Sequence, residues 1–149
     1  MIRAVLDTNI VVSATIAPAG SPARILALGR SGQFEIVSSS AILTETLRTL
    51  QRDRIRRKYQ ITAVQIEGMR ILLEEEASLT PITRQVQGIA SHSEDDQILA
   101  TAISAGADYL VTGDDKLQKL GTYQGVTIVS PREFLTILES QPETESPVT

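Results

Sequence analysis

Apolar positions along this chain fall into two kinds of block, and the blocks alternate. Residues 2–6 (IRAVL) form a short, mostly apolar run closed by Asp7, which reads as a buried strand carrying an acid at its carboxyl end. Residues 34–37, 108–112 and 126–129 have the same character, and a shorter extended segment is expected near 79–82, ending around Pro81. Between these runs the period lengthens to that of a helix. A helix is expected after Asp7. Another opens at Ser21-Pro22, read as an N-cap with proline in the first turn, and carries Ile25, Leu26 and Leu28 before Gly32 breaks it off. Ile42, Leu43, Leu47 and Leu50 mark a third, with Glu45 in its first turns and on no evident salt-bridged stripe.

The second half repeats the alternation. Thr62 and Gln65 have capping-box spacing ahead of Val64, Ile66, Met69, Ile71, Leu72 and Leu73, which predicts a long helix ending in the solvated run Glu74, Glu75 and Glu76. A polar loop then passes through His92. Ser93 and Asp96 again have capping spacing, with Ile98, Leu99, Ala102 and Ile103 as the buried stripe, and Gly106 stops that helix. Asp95 leads the stripe at offsets of three, four and seven, so its side chain is expected at the interior edge, whereas Asp96 has a competing role as the capping acid. Asp114 is either a site residue or the N-cap of a short helix holding Leu117 and Leu120. Ser130, Pro131 and Glu133 start the last helix, and residues 141–149, with two prolines and no apolar period, are expected to lie outside the packed domain of residues 1–140.

Strands alternating with helices favour an α/β fold, a mainly parallel sheet of about five strands covered on both faces. The 149 residues are 42% hydrophobic, enough for one domain with a real core, and no internal repeat is visible. No apolar run reaches the ~18 residues of a membrane span and the N-terminus lacks a secretory pattern, so a cytoplasmic protein with no membrane partner is expected.

Composition also narrows the chemistry. Cysteine is absent and His92 is the only histidine, which excludes thiolate sites and histidine-rich zinc sites. Any metal must be held by oxygen. Four separated acids, Asp7, Glu45, Asp95 and Asp114, sit where expected strands and helices meet. Carboxylates aimed at one crevice repel each other unless a hard divalent cation lies between them. His92 has no visible partner and is read as a loop or structural residue in preference to a substrate contact. The net charge is −4, yet Arg48, Arg52, Arg54, Arg56, Arg57 and Lys58 put six of the fourteen basic residues into one short stretch, which suits either a phosphate-binding surface or a solvated helix face and turn.

The segments VLDTNIVVSA at the start, EDDQILATAISAGADYLVTGDDKL in the second half and TIVSPREFL near the end, together with Glu45 in the helix after the second strand, resemble the PIN-domain ribonucleases and in particular their VapC-like branch, toxins of toxin-antitoxin pairs. The resemblance spans nearly the whole domain and implies a three-layer α/β/α fold. It implies that Asp7, Glu45, Asp95 and Asp114 are the acidic quartet, with Asp96 as a possible extra ligand because the acids are doubled at 95–96 and 114–115. Asn9 and Thr112 match polar positions beside the first and last acids. The implied cofactor is Mg²⁺ or Mn²⁺, the substrate RNA, and the partners a small cognate antitoxin and a second copy of the chain.

With those residues, Asp7 and Asp114 are expected to bridge the cation, Asp95 to bind it directly or through water, and Glu45 to bind it or orient the attacking water. Thr112 and Asn9 would steady carboxylates and water from behind. A receiver-like phosphoryl-transfer domain is the main rival, but the second strand ends in Val37-Ser38-Ser39-Ser40 and offers no phosphoacceptor aspartate between an acidic pair and a distal lysine. A catalytically inactive PIN-fold binding module is the third reading. Only Phe34, Tyr59, Tyr109, Tyr123 and Phe134 are aromatic, so extensive base stacking is not expected.

Overall fold

Alternate residues of the short strands belong to opposite faces of one sheet, and both faces are covered. The computed structural model describes residues 1–86, 88 and 93–141, with only the backbone of Ser93 and Glu94; His92, the Ser93 side chain and the tail from 142 to 149 lie outside this description. The strands are β1 (Arg3–Leu6), β2 (Glu35–Ser38), β3 (Ser78–Leu79), β4 (Tyr109–Val111), β5 (Thr122–Tyr123) and β6 (Val126–Val129). They form a six-stranded sheet in the order β3-β2-β1-β4-β6-β5, parallel except for the β5–β6 pair. The helices are α1 (Thr8–Ile16), α2 (Ser21–Arg30), α3 (Ser40–Gln51), α4 (Asp53–Lys58), α5 (Ala63–Ile71), α6 (Ser93–Ala105), α7 (Asp115–Gln118) and α8 (Pro131–Ser140).

Ala4, Leu6, Ile36, Val111 and Val129 meet α1, α2 and α8 on one face, closed by an edge-to-face contact of Phe34 and Phe134 with centroids 5.0 Å apart. Val5, Val37, Leu110 and Ile128 meet Ile98, Leu99, Ala102 and Ile103 of α6 and Leu117 of α7 on the other. This period-two division makes the α/β/α sandwich. A smaller cluster of Val12, Leu50, Ile61 and Ile66 joins α1, α3 and α5 beside the sheet.

The chain adds β2 and β3 on one side of β1, then crosses to add β4, β6 and β5 on the other. The order therefore reverses between β1 and β4, and a crevice opens outside their carboxyl ends, where α/β sheets bind ligands.

Several local details depart from the pattern read in the sequence. The N-cap of α2 is Gly20, with Ser21 and Pro22 as its first helical residues. The strand expected near 79–82 is shifted to Ser78–Leu79; Thr80 donates a last bond to the Ser38 carbonyl at 2.8 Å, and Pro81 has no N–H with which to continue. The long helix expected after Thr62 stops being α-helical at Ile71 and continues as a π turn, Leu72–Glu76, which buries Leu72 and Leu73 and leaves the three glutamates outside. Strand β5 is additional. Among the described residues no single helix is long and apolar enough to cross a membrane.

Candidate active site

The backbone of Asp7 fixes the start of the site. Its N–H donates to the Val111 carbonyl at 3.0 Å, which pins the end of β1 to β4, and its own carbonyl accepts from Ile10 at 2.9 Å as α1 begins. The Asp7 side chain makes no cap bond. It accepts instead from the Thr112 hydroxyl at 2.6 Å, and that same oxygen accepts from the Asp114 N–H at 3.0 Å. Thr112 is wholly buried, so a single hydroxyl ties the acid ending β1 to the turn after β4.

Asp7 itself is only 3% exposed. Burial pushes its carboxyl up to about 6; the Thr112 hydrogen bond opposes that rise, the charge of Asp95 adds to it, and the Thr8 and Asn9 amides oppose it. A buried acid facing a second acid marks a candidate functional site, one whose repulsion a cation would relieve.

Asp7 opens onto a cleft of about 680 Å³, lined also by Thr8, Asn9, Ser40, Thr44, Glu45, Arg48, Thr49, Asp95 and Gln97. Asp95, half-buried in the first turn of α6, reaches this cleft, whereas the buried Asp96 accepts the Gly88 N–H at 3.0 Å and is absent from the lining. Helical phase separates the two neighbours: one looks into the crevice and the other turns to Gly88. Asn9 is exposed at the rim.

Glu45 reaches the cleft from α3, but the sequence reading that it lies on no salt-bridged stripe is overturned. Arg48 lies 3.2 Å from Oε2, Arg52 lies 3.6 Å from Oε1, and the Thr49 hydroxyl donates to Oε1 at 3.5 Å. The i,i+3 partner follows from helix spacing. Arg52 was not visible as a partner because it stands at the joint of α3 and α4, where its ψ of 128° turns the chain.

Asp114 is the N-cap of α7, accepting the Lys116 N–H at 2.8 Å through Oδ1, and is not in the cleft lining. Oδ2 takes no hydrogen bond among the described residues, so capping leaves one oxygen for another role. The structure thus brings Asp7, Glu45 and Asp95 into one cleft and sets Asp114 beside it through Thr112. Among the described residues, no three acidic or imidazole groups already converge at coordination distance. The donor set, all hard oxygen with one carboxylate held out of water, nevertheless suits Mg²⁺ or Mn²⁺.

The basic stretch divides in two. Arg48 and Arg52 sit with Glu45, while Arg54, Arg56, Arg57 and Lys58 lie exposed on α4. Arg56 donates to the Ile61 carbonyl at 3.3 Å and Lys58 lies 5.3 Å from the Tyr59 ring centroid. Sequence reasoning did not single out Ser39, which caps α3 and accepts the Thr101 hydroxyl at 2.9 Å, joining the two helices that border the cleft. The available signal was the run Ser38-Ser39-Ser40 directly after a buried strand.

Comparison with known proteins agrees with this fold. A family model described as PIN domain matches residues 3–116. A search of curated proteins finds no match. Among solved structures, the chain is similar to VapBC2 from Rickettsia felis bound to a DNA fragment from its promoter, with TM-score 0.61 and 18% identity, covering 87% of this chain and 98% of that one. It is also similar to DNA-bound VapBC from Salmonella typhimurium, with TM-score 0.58, 19% identity and coverage of 88% and 99%. PAE2754 from Pyrobaculum aerophilum gives TM-score 0.58 at 15% identity, with coverage of 94% and 91%.

Proposed function

The chain belongs to the PIN domain family, a family of nucleases, and from that premise we propose that it is a Mg²⁺- or Mn²⁺-dependent endoribonuclease acting on single-stranded or loop RNA, the toxin of a toxin-antitoxin pair. The observation that carries this reading is Asp7: a buried carboxylate facing Asp95 where the sheet order reverses, its proton held until about pH 6.

Asp7 and Asp95 would hold the metal, joined by Glu45 and by Asp114 through the oxygen left over from capping. Bound there, Mg²⁺ or Mn²⁺ supplies a polarised water for in-line attack on the phosphodiester and charge neutralisation for the leaving oxygen. The residues of the chain do the rest. Thr112 keeps one Asp7 oxygen oriented by donating to it, which aims the other at the cleft. Asn9 offers an amide at the rim to position water or a sugar hydroxyl. Arg48 and the exposed bases of α4 attract the RNA backbone, and an accessible single strand or loop presents the phosphodiester that the cleft requires.

The VapBC structures it resembles are of pairs bound to DNA, which supports extending the proposal to a small cognate antitoxin; a homodimeric, cytoplasmic toxin completes the reading. One observation favours a second reading, an inactive PIN-fold binding module: Glu45 is held by two arginines.

One experiment separates them. The purified chain is incubated with a panel of single-stranded RNAs, with Mg²⁺, Mn²⁺ or EDTA, beside Asp7→Asn and Asp114→Asn, and Mn²⁺ binding is titrated by calorimetry. Cleavage that needs metal and is lost in both variants is expected. Cleavage that survives EDTA or both substitutions would remove the mechanism, and a chain that binds no Mn²⁺ and cuts nothing is the inactive module.

A further inference from the structure

We infer that Arg48 and Arg52 form a phosphate clamp that competes with the metal for Glu45, so that an RNA phosphate arriving in the cleft frees Glu45 to join Asp7 and Asp95. The inference rests on the nuclease reading and adds a coupling between its two ligands.

Both carboxylate oxygens of Glu45 are occupied by cations, Oε2 by Arg48 at 3.2 Å and Oε1 by Arg52 at 3.6 Å. An ordinary helix-surface pair would engage Arg48 alone, at i,i+3. Here a second guanidinium is carried in from the joint between α3 and α4, where Arg52 is extended with ψ 128°. Glu45 and Arg48 line the same cleft as Asp7 and Asp95, and Arg48 and Arg52 also border a second hollow of about 550 Å³ with Thr44, Leu47 and Gln51. The clamp therefore stands where the acidic cleft meets the second hollow, within reach of a phosphate that enters from that side.

Exposure decides which member moves. The arginine side chains are 62% and 57% exposed and Glu45 is 22% exposed, so the guanidinium heads are in water and weakly held while the carboxylate is partly enclosed. A planar guanidinium matches the non-bridging oxygens of a phosphate with two parallel hydrogen bonds, a stronger arrangement than the single contacts it makes with Glu45. Two positive charges resting beside Glu45 also oppose a divalent cation in the cleft. A phosphate removes both obstacles, because it takes the arginines and returns Glu45 as a negative ligand. Coupling of this kind is reciprocal: RNA strengthens metal binding and metal strengthens RNA binding by the same factor.

The test measures Mn²⁺ affinity by calorimetry on the full chain, alone and saturated with a nuclease-resistant 2′-O-methyl phosphorothioate oligoribonucleotide. The unsubstituted chain should bind Mn²⁺ about fivefold or more tightly with the oligonucleotide than without it. Arg48→Gln/Arg52→Gln, which alters only exposed side chains, should bind Mn²⁺ alone about fivefold more tightly than the unsubstituted chain and gain less than about twofold from the oligonucleotide. If the double variant binds Mn²⁺ as the unsubstituted chain does, or the oligonucleotide shifts both equally, the clamp is wrong. Should Mn²⁺-dependent cleavage persist in that case, only the clamp falls; if the unsubstituted chain binds no Mn²⁺, the nuclease reading and the clamp fall together.

Discussion

The Asp7–Thr112 hydrogen bond holds a group that the folded chain prefers to keep protonated. The Asp7 carboxyl titrates near 6 when folded, against 3.8 as its ordinary value, so between those limits the folded state binds more protons than the unfolded state. Metal-free stability must then fall as pH rises through that window and stay lowered above it. Asp7→Asn removes the buried charge and keeps an acceptor for Thr112. In EDTA at pH 7.5 it should be roughly 1–3 kcal/mol more stable than the parent in urea, with a flatter pH dependence between 4 and 6. Equal stability at pH 7.5 would mean that Asp7 is not held out of water as described. The same shift requires Mn²⁺ binding to weaken below about pH 6. Thr112→Val is nearly isosteric, yet it removes a donor to Asp7 and an acceptor for the Asp114 amide. It should cost roughly 1–3 kcal/mol and move the onset of Mn²⁺ binding to higher pH, whereas Thr112→Ser, which keeps the hydroxyl and loses a buried methyl, should cost about 1 kcal/mol and leave the onset where it is. Asp7 was legible in the sequence because it closes an apolar run. Thr112 was expected to steady a carboxylate, but that it would reach Asp7 and the Asp114 amide together was not legible, since a hydrogen bond across 105 residues depends on which strands become neighbours.

Elements were readable where one signal dominated and obscure where two short ones met. β1, β2, β4 and β6 each carry a buried run, and α8 carries a capping box in which Ser130 and Glu133 both bond as their spacing implies. β5 escaped because it is two residues long and its hairpin turns on Gln124 and Gly125, with φ of 47° and 86°, rather than on the asparagine–glycine pair that usually announces such a turn. The basic stretch read as a helix face and turn without a defined second helix, because the break between α3 and α4 at Arg52 is carried by a ψ angle and by neither glycine nor proline. Gly29 shows how closely α2 is set on β2: a Cβ there would lie 2.6 Å from Cδ1 and Cγ1 of Ile36 and 3.0 Å from Phe34 Cζ. Alanine would gain about 1 kcal/mol of helix propensity, but overpacking a buried contact typically costs about 1–3 kcal/mol. Gly29→Ala should therefore be net destabilising by about 1 kcal/mol in urea denaturation. A more stable variant would show that α2 moves off the sheet freely.

Across the whole molecule, the charge that matters is segregated. The chain carries a net charge of −4, yet acids gather in the cleft at the carboxyl end of β1 and beside it after β4, and bases gather along α3 and α4. The acidic side would repel an RNA backbone at long range, so approach must be guided from the basic side, where field and distance favour the exposed residues of α4. Arg54 and Arg57 suit a test because they are exposed and their side chains make no ion pair or hydrogen bond among the described residues, so replacing them disturbs no side-chain contact of that kind. If each meets one phosphate of a single strand, Arg54→Gln/Arg57→Gln should reduce the slope of log affinity against log salt by about 1.4, at ~0.7 per lost contact. The loss should be similar for every RNA sequence, because phosphate contacts carry no base information. Mn²⁺ affinity in the absence of RNA should not change, since both residues lie outside the cleft lining. Fluorescence anisotropy with labelled RNA at several salt concentrations measures the slope; one equal to the parent's would mean that α4 is only a solvated face and that RNA reaches the acids by another side.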